Sequence, residues 1–291
     1  MIKYADNTIA PQVRQMWKTV FGDPEAYVDI YFRDKYHNNN TLVYVEDGKP
    51  VASLQMLPYM FSFCGREIPI AYISGACTLP EYRRKGYMSA LLKQSFHEMK
   101  KRNIPLSLLV PQEAELVDFY ARFGFAPAFD AGMEELPSLK ELLARHPDDL
   151  YGAYREFDEW FRGKDVTVQK SFDDFRSIVE EAALFGFPSK RNLMGMARII
   201  DAESLLRVFA RQYRDKNFSL SVKDFLLPEN NDAFVVRRGE CKRQCKECEL
   251  HFHVGVDELV QLLLGYHTSS KDEPLRSLFP EKKPQMNFML E

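Results

Sequence analysis

From Ala71 to Leu92 the chain reads AYISGACTLPEYRRKGYMSALL. An apolar run enters a short loop dense in positive charge, passes through one glycine and becomes an amphipathic helix. That order constrains both the fold and what the fold can hold. A helix N-terminus carries unpaired N–H groups and the positive end of the helix dipole. Gly86 lets the backbone take a positive φ or approach a ligand closely. Arg83, Arg84 and Lys85 place three cations at the same end. The combination suits a diphosphate. The alternative is a solvated basic turn opening a surface helix, and the loop's residues alone leave both open.

The flanking sequence alternates between helical and strand periods. Ala10–Phe21 and Glu25–Tyr36 read as helices, the second opened by Asp23-Pro24, a cap followed by a first-turn proline. Thr41–Glu46, the turn Asp47-Gly48 and Pro50–Leu57 form one hairpin pattern. Met60–Cys64, Gly65-Arg66 and Glu67–Thr78 form another, so at least three adjacent antiparallel strands are expected. Gly86–Arg102 then carries Met88, Leu91, Leu92, Phe96 and Met99 at helical spacing. Ile104–Val110 reads as a strand and Glu113–Arg122 as a helix ending at Gly124. This predicts a mixed α/β domain closing near Phe129.

Pro137–Asn192 is polar and helix-prone and shows no evident chemistry. Asp201–Tyr213 reads as a capped helix, Phe218–Asp224, Ala233–Arg238 and Glu249–Val254 as strands, and Asp257–Leu264 as a closing helix. A length of 291 residues allows about two domains. The content of 45% apolar and 28% charged residues fits a folded chain. A net charge of −3 excludes a broadly basic nucleic-acid footprint. No apolar run approaches the ~20 residues that span a bilayer, and the start MIKYAD has neither part of a secretory signal. Five cysteines, with Cys64 and Cys77 isolated in apolar sequence, suit a reducing compartment. The expectation is a cytoplasmic protein with no nucleic-acid or membrane partner.

The loop Arg83-Arg84-Lys85-Gly86-Tyr87-Met88 resembles the Arg/Gln-x-x-Gly-x-Gly/Ala signature of the GNAT superfamily of acyl-CoA-dependent N-acetyltransferases. Element order extends the resemblance over roughly residues 1–130. Met88 departs from the small residue usual at the last position. The resemblance implies acetyl-CoA as cosubstrate. Ala76, Cys77 and Thr78 would pair their backbone with the pantetheine arm as an added strand. Arg83, Arg84, Lys85, Gly86, Tyr87, Met88 and Ser89 would hold the pyrophosphate. Leu116–Phe125 looks like the family's final helix and its Phe-Gly-Phe corner, which makes Tyr120 the proton donor to the departing thiolate. Without the family, Tyr120 reads as a residue packing its helix on the sheet.

Farther on, the stretch from Asp257 to Leu262-Leu263-Leu264-Gly265 resembles a sterol-carrier-protein-2-like domain. A GNAT domain followed by such a domain looks like the enhanced-intracellular-survival group of acetyltransferases. The implied architecture is α/β (α+β): a GNAT domain over 1–135, a helical linker or reduced GNAT-like unit over 136–197, and a sterol-carrier-like domain with its tail over 198–291. Members of that group act on aminoglycosides or other amines. The acceptor is then a primary amine of a small molecule or a lysine, attacked directly in a ternary complex. The competing reading is a non-catalytic module binding acyl-CoA or an apolar ligand. Asp23, Glu25 and Asp29 lie where such enzymes open their acceptor groove and could attract a cationic amine, though a solvated helix face explains them better.

The tail carries Phe288, Met289 and Leu290, which need somewhere to bury. The resemblance implies that it threads back into the site, where the terminal carboxylate, here Glu291, takes the amine proton. Relatives often end in an aromatic residue instead. The alternatives are a loose end or a tail docked on a neighbouring copy, so a homo-oligomer stays open. Cys241, Cys245 and Cys248 share the spacing of a radical-SAM iron–sulfur motif but lie far from its usual place near the start of a large barrel. A zinc site with His251 is chemically feasible, yet a basic hairpin tip with reduced thiols explains the cluster, and no metal is expected. His251 and His253 share a strand face by alternation.

Overall fold

The computed structural model describes residues 1–243 and 251–290. Cys245, Cys248 and Glu291, singled out above, lie outside the described residues. The first part runs β1 (Ile2–Tyr4), α1 (Ala10–Phe21), α2 (Glu25–Asp34), β2 (Thr41–Glu46), β3 (Lys49–Phe63) and β4 (Arg66–Thr78). It continues with α3 (Tyr87–Lys101), β5 (Leu106–Leu109), α4 (Glu115–Ala121) and β6 (Ala126–Phe129). The expected hairpins are present, and β2, β3 and β4 pair antiparallel. The break expected at Leu57–Tyr59 does not occur, and β3 runs through Pro58 without interruption. On its other edge β3 pairs with β2 up to Gln55 and with β7 (Thr167–Gln169) from Met60. Pro58 falls in the gap between them, where a residue lacking an N–H disturbs neither ladder.

The middle of the chain holds α5 (Leu139–Arg145), α6 (Leu150–Arg162), β7, α7 (Phe172–Leu184) and β8 (Gly195–Ile199). Helices were expected here, and strands were not. Both strands join the large sheet, whose order is β1-β2-β3-β4-β5-β8-β6, with β7 on β3. The sheet therefore does not close near Phe129, because β6 reaches it only through β8, which pairs antiparallel with both β5 and β6. β8 reads GMARI, and its glycine and arginine hid a five-residue segment that is buried throughout.

The C-terminal part runs α8 (Ala202–Gln212), β9 (Phe218–Lys223), β10 (Ala233–Arg237), β11 (Glu240–Arg243), β12 (Phe252–Gly255), α9 (Val256–Leu264) and α10 (Leu275–Leu278). Asp201 caps α8 by accepting the Ser204 N–H at 3.0 Å. The second sheet has the order β11-β10-β9-β12, with β11 formed by residues expected to be a hairpin tip. His251 and His253 lie beside β9, where the Ser219 N–H donates to His251 Nδ1 at 2.9 Å and Ser221 Oγ bonds His253. Among the described residues no cluster of three potential metal ligands occurs, and no helix is long and apolar enough to cross a membrane.

Two buried features tie the parts together. Arg198 of β8 donates to both oxygens of Asp224 at 2.8 and 2.7 Å, with both side chains sealed from solvent. The tail packs into its own chain and is not a loose end. Gln285 N–H donates to Val166 O and Leu193 N–H to Met286 O, both at 2.9 Å. Phe288 packs against Phe157 and Phe161 at 5.4 and 6.0 Å between ring centres.

Candidate active site

The site begins where two parallel strands separate. β4 and β5 pair only over Ile70–Tyr72 and Leu106–Leu108. From Ile73 to Thr78 that edge of β4 has no strand neighbour among the described residues, while its other edge stays bonded to β3. The exposed N–H and C=O groups form a template for an extended chain. Ala76, Cys77 and Thr78 lie on this stretch. The Cys77 thiol points into the protein, 3.4 Å from Ser53 Oγ, and burial pushes its pKa up to about 11. Only the backbone of Cys77 is left for a ligand.

Within the same stretch the β3–β4 register slips. Ser53 faces Cys77 and Gln55 faces Ser74, so Leu54 alone opposes Gly75 and Ala76. This is a β-bulge, which frees backbone groups from the ladder. Gly75 takes φ +55°, and a Cβ there would lie 2.5 Å from the Trp17 ring and 2.9 Å from Gln55 Nε2. Glycine is therefore what lets the indole of α1 rest on the bulge. Nothing in the local sequence around Gly75 signals this.

Past Thr78 the chain turns into α3. Arg83 Nε donates to Thr78 O at 3.3 Å, joining the loop to the open edge. Gly86 caps the helix at φ +83° with no side-chain cap, and open space surrounds the position a Cβ would occupy. The first-turn N–H groups of Tyr87, Met88 and Ser89 are thus not covered by a cap. Arg83, Arg84 and Lys85 are exposed beside them. Lys85 lies 3.6 Å from Glu46, and the Tyr87 hydroxyl donates to Glu46 while its ring stacks on Tyr44 at 4.2 Å. Met88 packs its side chain toward the core beneath α3.

A cavity of about 300 Å³ opens at the bulge. Trp17 and Phe21 of α1, Asp23, residues 72–76 of β4, Val110, Gln112, and Leu116 and Tyr120 of α4 line it. Tyr120 is buried, and burial pushes its hydroxyl up to about 12, so it stays protonated at neutral pH. Three residues past its helix, Gly124 takes φ +79°, where a Cβ would meet the buried Arg198 guanidinium at 2.9 Å. Beneath the cavity, Tyr31 donates to Gln55 Oε1 at 3.1 Å and lies 2.8 Å from Ser74 Oγ. Gln55 Nε2 is buried with no partner among the described residues.

Of the three acids near the first helices, only Asp23 reaches the cavity, where it accepts from Trp17 Nε1 at 2.7 Å. Glu25 and Asp29 are paired on the surface with Arg14 and Lys18. The tail approaches from the far side. Lys170, just past β7, is buried and donates to Asn287 O at 2.9 Å, with Met289 Sδ at 3.4 Å. Its ammonium stands 5.3 Å from the Tyr59 ring, and Tyr59 meets Tyr72 edge-on at 6.3 Å. Tyr72 lines the cavity, so Lys170 and Tyr59 link Asn287 and Met289 of the tail to its wall. The sequence showed no chemistry at Lys170, because only the fold brings it to the tail.

Residues 1–128 match the family described as acetyltransferase (GNAT) domain, and residues 203–285 match the sterol carrier protein domain. The chain is thus an acyltransferase whose N-terminal part is a GNAT domain, followed by a sterol carrier protein domain. Its whole fold is similar to that of a GCN5-related N-acetyltransferase from Anabaena variabilis, with a TM-score of 0.69 at 15% identity over 98% of both chains. It is also similar to Eis1 from Mycobacterium abscessus, with a TM-score of 0.67 at 15% identity over 99% of both chains. A probable N-acyltransferase from Enterococcus faecalis gives 0.66 at 14% identity over 98% of both. No curated protein matches the sequence significantly.

Proposed function

We propose that this chain transfers the acetyl group of acetyl-CoA to a primary amine by direct attack within a ternary complex. One observation carries the reading: the unpaired edge of β4 and Tyr120 line one cavity, and the same edge leads past Thr78, which Arg83 contacts, to the uncapped start of α3. Residues Ala76–Thr78 would bond the pantetheine arm through the backbone. Arg83, Arg84 and Lys85, with the N–H groups of Gly86–Ser89, would hold the diphosphate. Backbone N–H groups freed by the bulge at Gly75–Ala76 would stabilise the oxyanion as the amine nitrogen bonds the thioester carbon. When the C–S bond breaks, Tyr120 protonates the thiolate. The amine proton leaves to the terminal carboxylate at Glu291, a role supported by the buried course of residues 286–290, or to water. With its thiol turned inward and pushed up to about 11, Cys77 is a poor nucleophile, which favours direct attack over a covalent enzyme intermediate. Cys64, Cys77 and Cys241 are buried free thiols, in keeping with a reducing compartment such as the cytoplasm.

The test is thiol release from acetyl-CoA with a panel of primary amines, read beside the thermal shift that acetyl-CoA produces. Amine-dependent release with a matching mass gain on the amine supports transfer. A thermal shift with no release on any amine would leave only the binding module.

A further inference from the structure

The acceptor cavity is walled by rings rather than by charge. Trp17, Phe21 and Tyr72 supply aromatic surface and Leu116 aliphatic surface, while Asp23 is the one carboxylate among the described lining residues. Among the described residues no lysine or arginine lines it. Even Asp23 is partly committed, because Trp17 Nε1 donates to it. The neighbouring acids that could widen a negative field, Glu25 and Asp29, are neutralised by Arg14 and Lys18. Size restricts the acceptor further. The space, about 300 Å³, must also hold the acetyl end. A molecule with several ammonium groups would leave all but one or two of them desolvated without a counter-charge, which is costly.

Building on the acetyl-transfer reading, we propose that the acceptor is a compact monoamine with an apolar or aromatic body, rather than a polyamine or an aminoglycoside. Its body lies against Trp17 and Phe21, whose faces also attract an ammonium before it loses its proton. Asp23 takes the single positive charge at the entrance. The amine then reaches the bulge beneath Trp17, where the thioester carbonyl would lie.

The experiment compares 2-phenylethylamine and propylamine with spermidine and kanamycin, as acceptors and as ligands. In steady-state transfer, kcat/KM for 2-phenylethylamine is expected at least tenfold above spermidine and kanamycin. Phe21→Ala should raise KM for 2-phenylethylamine several-fold more than for propylamine. Binding is read separately from the fluorescence of Trp17 in a Trp160→Phe background, since Trp160 packs on α6 beside Phe157 and Phe161, away from the cavity. There 2-phenylethylamine should perturb Trp17 saturably at concentrations at least tenfold lower than spermidine. Equal or better turnover and binding of the polycations overturns the inference and leaves acetyl transfer standing. If no amine releases thiol, the acetyl-transfer reading fails, and the order of binding at Trp17 still decides the character of the wall.

Discussion

Replacing Gly75 with alanine tests whether the bulge and the indole above it form one unit. Two costs add at this position. A residue with a Cβ held at φ +55° loses about 1–2 kcal/mol relative to glycine. The Cβ would also stand 2.5 Å from the Trp17 ring and 2.9 Å from Gln55 Nε2, both buried, so both must shift. Overpacking of that kind costs about 1–3 kcal/mol. The sum, about 2–5 kcal/mol, lowers the melting temperature by roughly 4–20 °C at the ~2–4 °C per kcal/mol that suits a chain of this size. Urea unfolding measures the loss directly. A double-mutant cycle with Trp17→Leu divides it, because shortening the ring removes the closer contact and leaves the backbone strain together with the approach to Gln55, whose side-chain end can swing aside. The cost of Gly75→Ala should therefore fall to about 1–2 kcal/mol in the Trp17→Leu background. A cost below ~0.5 kcal/mol in the parent, or an identical cost in both backgrounds, would refute the argument. Amine KM should rise in Gly75→Ala more than acetyl-CoA affinity falls, since the indole walls the acceptor side.

Arg84→Glu combined with Gly86→Asp should abolish the thermal shift given by acetyl-CoA, which at one hundred times Kd is worth about 2.7 kcal/mol; an undiminished shift would place the diphosphate elsewhere. Tyr120→Phe should lower kcat by roughly a hundredfold where chemistry limits the rate, while leaving the thermal shift intact; unchanged kcat would return Tyr120 to packing alone. Extending the chain past Glu291 with a short flexible tag should depress turnover and spare acetyl-CoA binding, and full activity in the tagged protein would eliminate the terminal base. Lys170 predicts a pH dependence of stability. Burial pushes its ammonium from 10.5 down to about 7, so between those values the unfolded chain holds more protons and stability rises with pH, by up to ~5 kcal/mol in all. Lys170→Met should flatten that rise in urea titrations run from pH 7 to 10, and a slope equal to that of the parent would contradict it.

The parts of the molecule legible in the sequence are those set by short-range physics. The cations before Gly86, the helical period after it, the Tyr120–Phe125 corner and the Asp201 cap all act within a few residues. All but the corner could be read from spacing and residue type alone; the corner came from the family resemblance, which also related the loop to a cofactor. The helix in 10–21 and the strand in 41–46 appear at the expected bounds for the same reason.

Tertiary structure decided what depends on distant segments meeting. β8 enters the sheet between β5 and β6 from about seventy residues downstream of β6, and five residues containing a glycine and an arginine carry too little pattern to announce a strand. Gly124 must be glycine because Arg198, from that same strand, lies against it. The bulge at Gly75 arises from a register slip against β3, which neither strand's own alternation reveals. Trp17 reads locally as one apolar residue on a helix face, and becomes a cavity wall only when α1 crosses the bulge. Lys170 carries no local signal, and becomes a buried contact of the tail because Asn287, 117 positions downstream, returns to accept its hydrogen bond. Local propensity determines the elements, whereas the chemistry of this cavity comes from contacts between residues far apart in the chain, whose pairing is set by packing.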